Sequence, residues 1–172
     1  MILGVGIDVT LTSRFASLHK KHGPRILERI FHENELKLAP NSKIDHRLAG
    51  TDSNNSISAS NYYFQYFASR WAVKEAFIKA LGQGSIGSKC IWVEKEVPNS
   101  DREQEGEYNM TMQRGLANFS PHQNTRPQLQ IEDRVWELLE QRMQVNRDSM
   151  RLWCSLAHDG DYCIGQVIIE QV

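Results

Sequence analysis

At 172 residues the chain has the length of one domain, enough to bury most of its apolar surface. Its 20 Lys and Arg against 21 Asp and Glu leave a formal charge of −1, which gives no electrostatic case for nucleic acid as the main partner. No apolar run approaches the length that spans a bilayer, so no membrane partner is expected. The three cysteines, Cys90, Cys154 and Cys163, are odd in number and too widely spaced for a zinc pattern or a disulfide framework, which points to buried thiols in a reducing compartment.

In chain order, Gly4-Val5-Gly6-Ile7-Asp8-Val9 reads as a short apolar strand with glycines on one side and a carboxylate at its end. The strand begins so early that neither a secretory leader nor an Arg-rich transit peptide is expected. Thr12 to His22 reads as a helix stopped by Gly23-Pro24, with Thr10 and Thr12 available to cap it. Two short helical pieces follow at 25–31 and 33–38, ended by Pro40. From Arg14 to Arg29 the bases Arg14, Lys20, Lys21, Arg25 and Arg29 face one acid, Glu28. That island is either a solvated helix face or a docking patch for an acidic partner.

Residues 41–60 are rich in Ser, Asn and Asp and read as a polar insertion. A long central helix is expected over 61–81, its Tyr63, Phe64, Phe67, Trp71 and Phe77 forming core. A strand at 91–97, a second polar insertion at 98–127, a short strand at 128–131 and an amphipathic helix at 132–144 come next. The chain closes with a hairpin of strands 151–157 and 162–169 around His158-Asp159-Gly160-Asp161, where Asp-Gly is the turn signal. Helices on a small, mainly antiparallel sheet make the fold class α+β, in one domain over 1–172 with its two insertions.

The candidate chemistry sits in the central helix and the first strand. Glu75 and Lys79 are one turn apart and share a face with Ala68 and Ala72, small residues that would let a bulky ligand come close. Mg²⁺ is commonly held by one or two carboxylates plus substrate phosphates and water. Asp8 and Glu75 meet that sparse requirement, with Lys79 as a phosphate counter-charge. The plainer alternatives are an exposed i,i+4 ion pair and an Asp that caps a turn.

Four blocks then resemble the AcpS-type 4′-phosphopantetheinyl transferases, the holo-acyl-carrier-protein synthases. They are Gly4 to Val9 with Arg14-Phe15, then Arg29-Ile30-Phe31-His32-Glu33-Asn34-Glu35-Leu36. The third is Lys74-Glu75-Ala76-Phe77-Ile78-Lys79-Ala80-Leu81-Gly82, and the last is Trp153-Cys154-Ser155-Leu156-Ala157-His158-Asp159. They stand in the family's order and rough spacing, with Ala157 where the family usually has a second serine before the histidine. The resemblance implies that the phosphopantetheine arm of coenzyme A moves onto a serine of an apo acyl carrier protein, releasing adenosine 3′,5′-bisphosphate. It implies Asp8 and Glu75 as Mg²⁺ ligands and, with Lys79, as the catalytic set. Lys79, Gly82, Gly84 and His158 would bind coenzyme A, with Arg70 and Lys74 as further candidates for the same anion-rich pocket. It makes Arg14 a carrier-protein docking residue and the assembly a homotrimer, with a monomer covered by its insertions as the competing reading.

The polar insertions suggest a eukaryotic relative serving mitochondria, with the cytoplasm as the alternative location. Two other functions fit parts of the pattern. One is a Mg²⁺-dependent phosphodiesterase using Asp8 and Glu75, which has fewer carboxylates than two-metal enzymes generally use. The other is a catalytically idle carrier-binding subunit, free to lose the two carboxylates that this chain keeps.

Overall fold

The computed structural model describes residues 1–40, 53–82, 86–95 and 126–172. Strand β1 (Ile2–Leu11) is followed by helices α1 (Thr12–His22), α2 (Arg25–Ile30) and α3 (Glu33–Lys37). The long helix α4 (Ser53–Leu81) leads to β2 (Ile91–Lys95), and β3 (Pro127–Ile131) to α5 (Asp133–Met143). The chain closes with β4 (Met150–Asp159) and β5 (Tyr162–Gln171). β1, β5 and β4 form an antiparallel sheet in that order, and β2 pairs antiparallel with β3 in a second, two-stranded sheet. The α+β expectation is met.

Helix α4 starts at Ser53, so its first eight residues lie in the stretch expected as insertion. Residues 41–52 and the part of the second insertion from 98 to 125 lie outside the described residues. β4 runs on to Asp159, which puts His158 in a strand and tightens the turn to Gly160 and Asp161. Gly160 takes φ +54°, a left-handed conformation that L side chains rarely adopt. Asp161 then reaches back to α1: its carboxylate accepts from Ser13 N at 3.0 Å and from Ser13 Oγ at 2.7 Å. The helix entrance is therefore capped by the hairpin tip, with no side-chain cap from Leu11 at the N-cap position.

Three glycines set the depth at which α4 lies on the sheet. A Cβ on Gly6 would stand 1.9 Å from Ala76 O, one on Gly4 2.3 Å from Ala80 O, and one on Gly165 2.3 Å from Val73 N. All three neighbours are helix backbone, so each glycine is a contact rather than a hinge. The alanines answer them: Ala68, Ala72 and Ala76 are wholly buried and Ala80 nearly so. This corrects the expectation that the small face receives a ligand; the sheet occupies it. Val73, Phe77, Val167 and Ile169 join β2, β3 and α5 in one apolar core, while Phe15, Phe31 and Phe67 centre a second under α1 and α2.

Among the described residues, the opposite face of the three-stranded sheet is uncovered. Register sets Val5, Ile168 and Trp153 in one transverse row, Ile7, Gln166 and Ser155 in the next, then Val9, Ile164 and Ala157. Val5, Ile7, Val9, Leu11, Trp153, Tyr162 and Ile164 are all exposed. An antiparallel sheet with one solvated face ordinarily alternates apolar inside with polar outside. Here the outer face is mostly apolar as well, with Gln166 and Ser155 as the polar members of its middle row.

Candidate active site

Asp8 lies on the inner face of β1, two residues beyond Gly6. Its Oδ1 accepts from Lys79 Nζ at 2.8 Å, and its Oδ2 accepts from Thr10 Oγ1 at 3.0 Å. Lys79 Nζ also donates to Ile7 O at 3.0 Å. The ammonium is thus pinned over the end of β1, yet its side chain is 53% exposed and free to turn toward an incoming anion. Glu75 is half-buried one turn earlier on the same helix face. The structure therefore brings Asp8, Glu75 and Lys79 to one flank of α4.

The other flank holds a different set. In sheet register Asp8 stands opposite Gly165, and Gly165 opposite Leu156; Thr10, Cys163 and His158 form the next row. Because α4 runs over Gly165, Asp8 emerges on one side of the helix and Leu156 with His158 on the other. Two strand spacings, about 10 Å, separate β1 from β4. On the β4 side a cleft of about 530 Å³ is lined by Arg70, His158, Tyr62, Tyr66, Glu94 and Leu156 among others. Arg70 is only 6% exposed and lies over the Tyr66 ring, its Cζ 3.4 Å from the centroid. Its NH1 donates to Tyr66 O at 3.3 Å, while its Nε has no hydrogen-bond partner among the described residues. A buried guanidinium nitrogen left without a partner is costly unless a ligand meets it. Burial pushes the Arg70 guanidinium down from its usual value, against the opposing pull of Tyr66 and Glu35. The same desolvation pushes the Tyr66 phenol up to about 12.

Lys74 does not belong to this pocket, which corrects the sequence expectation. Its side chain is 0% exposed, and its ammonium pairs with Glu35 Oε2 at 2.7 Å and donates to Ser88 O at 2.8 Å and to Ile91 O. Burial lowers its pKa, and Glu35 opposes that shift. All three ammonium protons are spent inside the protein, so no phosphate can reach it. Gly82 closes α4 at φ +73°, its N–H bonding to Ile78 O and Lys79 O at 3.1 Å each, and is exposed there. Gly84 lies outside the described residues. Arg14 is exposed on α1 with its guanidinium 5.8 Å from the ring centroid of Trp71, one turn before Glu75 on α4.

Sequence reasoning passed over Tyr66 and gave Glu35 no role, and it read Thr10 as a helix cap, whereas its hydroxyl donates to Asp8. Glu35 sits in a five-residue helix between charged neighbours, where an acid reads as solvent-facing. Its one sequence signal is its place three residues after His32. The structure closes a capping box there: Glu35 Oε2 accepts from His32 N at 3.1 Å and His32 Nδ1 accepts from Asn34 N at 3.2 Å.

Helix α4 thus carries Glu75 and Lys79 on the flank of Asp8 and the buried Arg70 on the other, over a glycine-lined antiparallel sheet. The model of the 4′-phosphopantetheinyl transferase superfamily matches residues 4–167, and the chain belongs to that family. Holo-[acyl-carrier-protein] synthase of Ehrlichia ruminantium (strain Gardel) is 38% identical over 84 residues, and this match spans 49% of the chain and 56% of that protein. The synthase of Geotalea daltonii aligns over 171 residues at 26% identity, covering 99% of the chain and all of that protein. Among solved structures, the synthase of Neisseria meningitidis superposes with a TM-score of 0.61 at 21% identity, covering 99% of the chain and 100% of its own. The Helicobacter pylori synthase, solved in complex with coenzyme A, gives 0.56 at 17%, covering 96% and 99%. The chain shares their fold, and its match to the Ehrlichia synthase spans a little over half of that protein's length.

Proposed function

We propose that the chain transfers the 4′-phosphopantetheine group of coenzyme A to a serine of an apo acyl carrier protein, in sites shared between neighbouring subunits of a homotrimer. The observation that carries this reading is the division of the phosphate-binding side chains by α4. Asp8, Glu75 and Lys79 lie on one flank, and Arg70 with His158 on the other. Within one subunit α4 lies between the two sets, whereas a neighbour that presents its second flank to the first would bring both onto one coenzyme A without the helix between them. The uncovered apolar rows of the sheet support the same assembly, since their burial between copies removes a large exposed apolar surface.

In this reading Lys79 turns from Asp8 to the pyrophosphate, and the guanidinium of Arg70 meets an anionic end of coenzyme A in the 530 Å³ cleft beside His158. The carrier serine oxygen attacks the β-phosphorus, a P–O bond forms there, and the bond to the bridging oxygen breaks. Adenosine 3′,5′-bisphosphate leaves with that electron pair, and the serine proton passes to water or Glu75. Positioning and charge account for most of the rate in such transfers. Asp8 and Glu75 fit Mg²⁺, which asks for few carboxylates; the described residues hold no cluster of three acidic, histidine or cysteine ligands that would favour a richer site. When bound, the ion supplies positive charge against the pyrophosphate oxygens.

Incubation with coenzyme A, Mg²⁺ and an apo carrier protein tests the reading. Mass spectrometry should find the carrier heavier by one phosphopantetheine; an unchanged carrier contradicts it. Light scattering should find a species near three times the 19.8 kDa chain mass, and a monomer contradicts the trimer. The polar stretches read as insertions at 41–60 and 98–127 are the ground for a eukaryotic, mitochondrial location, for which import by isolated mitochondria is the test and retention in the cytosol the contrary result.

A further inference from the structure

Glu35 touches both flanks of the site without reaching either. Its carboxylate accepts the Lys74 ammonium at 2.7 Å, and Lys74 is the residue next to Glu75. Its carbonyl accepts from Tyr66 OH at 2.7 Å, and Tyr66 is the ring beneath Arg70. The Glu35 carboxylate is in turn held by Val93 N at 3.3 Å and His32 N at 3.1 Å, one from β2 and one from the α3 cap. Lys74 continues the network to Ser88 O and Ile91 O, and Ser88 Oγ donates to Ile30 O at 2.9 Å. Both ionised side chains are 0% exposed, in a core that includes Phe31 and Phe67.

A buried pair is a poor way to gain stability, because an apolar pair of like volume often serves the fold as well. What such a pair does well is fix geometry. A helix resting on glycines has a smooth underside there, since Gly4, Gly6 and Gly165 offer no side chain to resist rotation about its axis. The Lys74 anchor resists it from the opposite side.

We propose that Glu35 is a positioning residue for phosphopantetheine transfer. Through Lys74 it locks the rotation of α4, so that Glu75 and Lys79 face Asp8, and through Tyr66 it holds Arg70 in the cleft. This rests on the transferase reading above. The residue binds no substrate; it sets the relative aim of two groups of side chains that do.

Two variants test it. Glu35→Gln keeps the volume and the hydrogen-bonding oxygen but removes the charge opposite Lys74. Glu35→Gln/Lys74→Met removes both charges and leaves an apolar stem in the helix. For each, thermal melting, calorimetric affinity for adenosine 3′,5′-bisphosphate with Mg²⁺, and transfer kinetics are compared with wild type. A rotation that misplaces the reacting groups by about an ångström costs up to about 100-fold. The expected result is a kcat about 10- to 100-fold lower and a several-fold weaker calorimetric affinity, with the KM for the carrier protein unchanged. The loss should persist in the double variant even where its melting temperature recovers. Wild-type kcat and affinity in either folded variant, or failure of both to fold, would overturn the proposal and leave the pair a core element. Absence of transfer by the wild-type protein would instead overturn the reading on which it rests.

Discussion

Gly6→Ala is a one-carbon change that alters no candidate ligand itself, and the structure gives its consequence a size. The added Cβ would stand 1.9 Å from Ala76 O, 2.8 Å from Ala80 N and 2.9 Å from Ala76 C, against an ordinary contact of 3.4–4 Å. Since all these atoms are backbone, no rotamer change relieves the clash; α4 must retreat from β1 by about 1.5 Å at this point. Overpacking of this kind costs about 1–3 kcal/mol, which for a chain of this length lowers the melting temperature by about 2–12 °C. The retreat also carries Glu75 and Lys79 away from Asp8, two residues along the strand. Displacement on the ångström scale is worth about 100-fold in rate, so kcat should fall far more than the modest loss of stability would explain. Assays well below the melting temperature of the variant separate the two effects. A variant that melts and turns over like wild type would refute the claim that the helix–sheet distance sets the site.

Other substitutions read other parts of the site. Arg14→Glu should raise the KM for the carrier protein and leave that for coenzyme A unchanged. The effect should fade with added salt, because exposed charges are screened within about 8–10 Å at ionic strengths of 0.1–0.15 M; equal effects on both substrates would contradict the docking role. Arg70→Lys removes the planar stack on Tyr66 and the forked donor, and should raise the KM for coenzyme A by about 10- to 100-fold at constant carrier KM. The Tyr66 phenol, raised from 10.0 to about 12 in the fold, favours the folded state fully below pH 10. That contribution is lost as the pH rises from 10 to 12. Alkaline spectrophotometric titration should find a phenol ionising near pH 12 that disappears in Tyr66→Phe; its persistence would contradict the assignment.

Much of the fold was legible because the local signals agreed with one another. The Gly-x-Gly-x-Asp alternation in β1 put both glycines and the carboxylate on one face, and the structure keeps them there against α4. Ala68 and Ala72 were visible as a small face too, but their partner was misread. A smooth helix face can meet a ligand or a sheet, and the matching signal was the glycines of the strands rather than anything in the helix. Lys74 and Glu35 show a harder limit. Each looks like a surface charge in its own segment, and only the tertiary contact between residues 39 positions apart makes them a buried pair. The separation of Arg70 from Glu75 was legible in helical phase, since five residues place them about 140° apart around the axis. What that phase could not supply was the position of β4 and His158 across the helix.

The proposed composite site makes one prediction that no single-chain site makes. Asp8→Ala disables the β1 flank and Arg70→Met the cleft, so each variant alone should transfer little or nothing. When the two are unfolded together, refolded and assayed by the mass of the carrier protein, mixed trimers should regain activity. Roughly a quarter of the interfaces would then pair an intact flank with an intact cleft in a random mixture. Recovery of that order is the result expected here. A mixture no more active than its components, with mixed trimers present, would contradict the account at its centre.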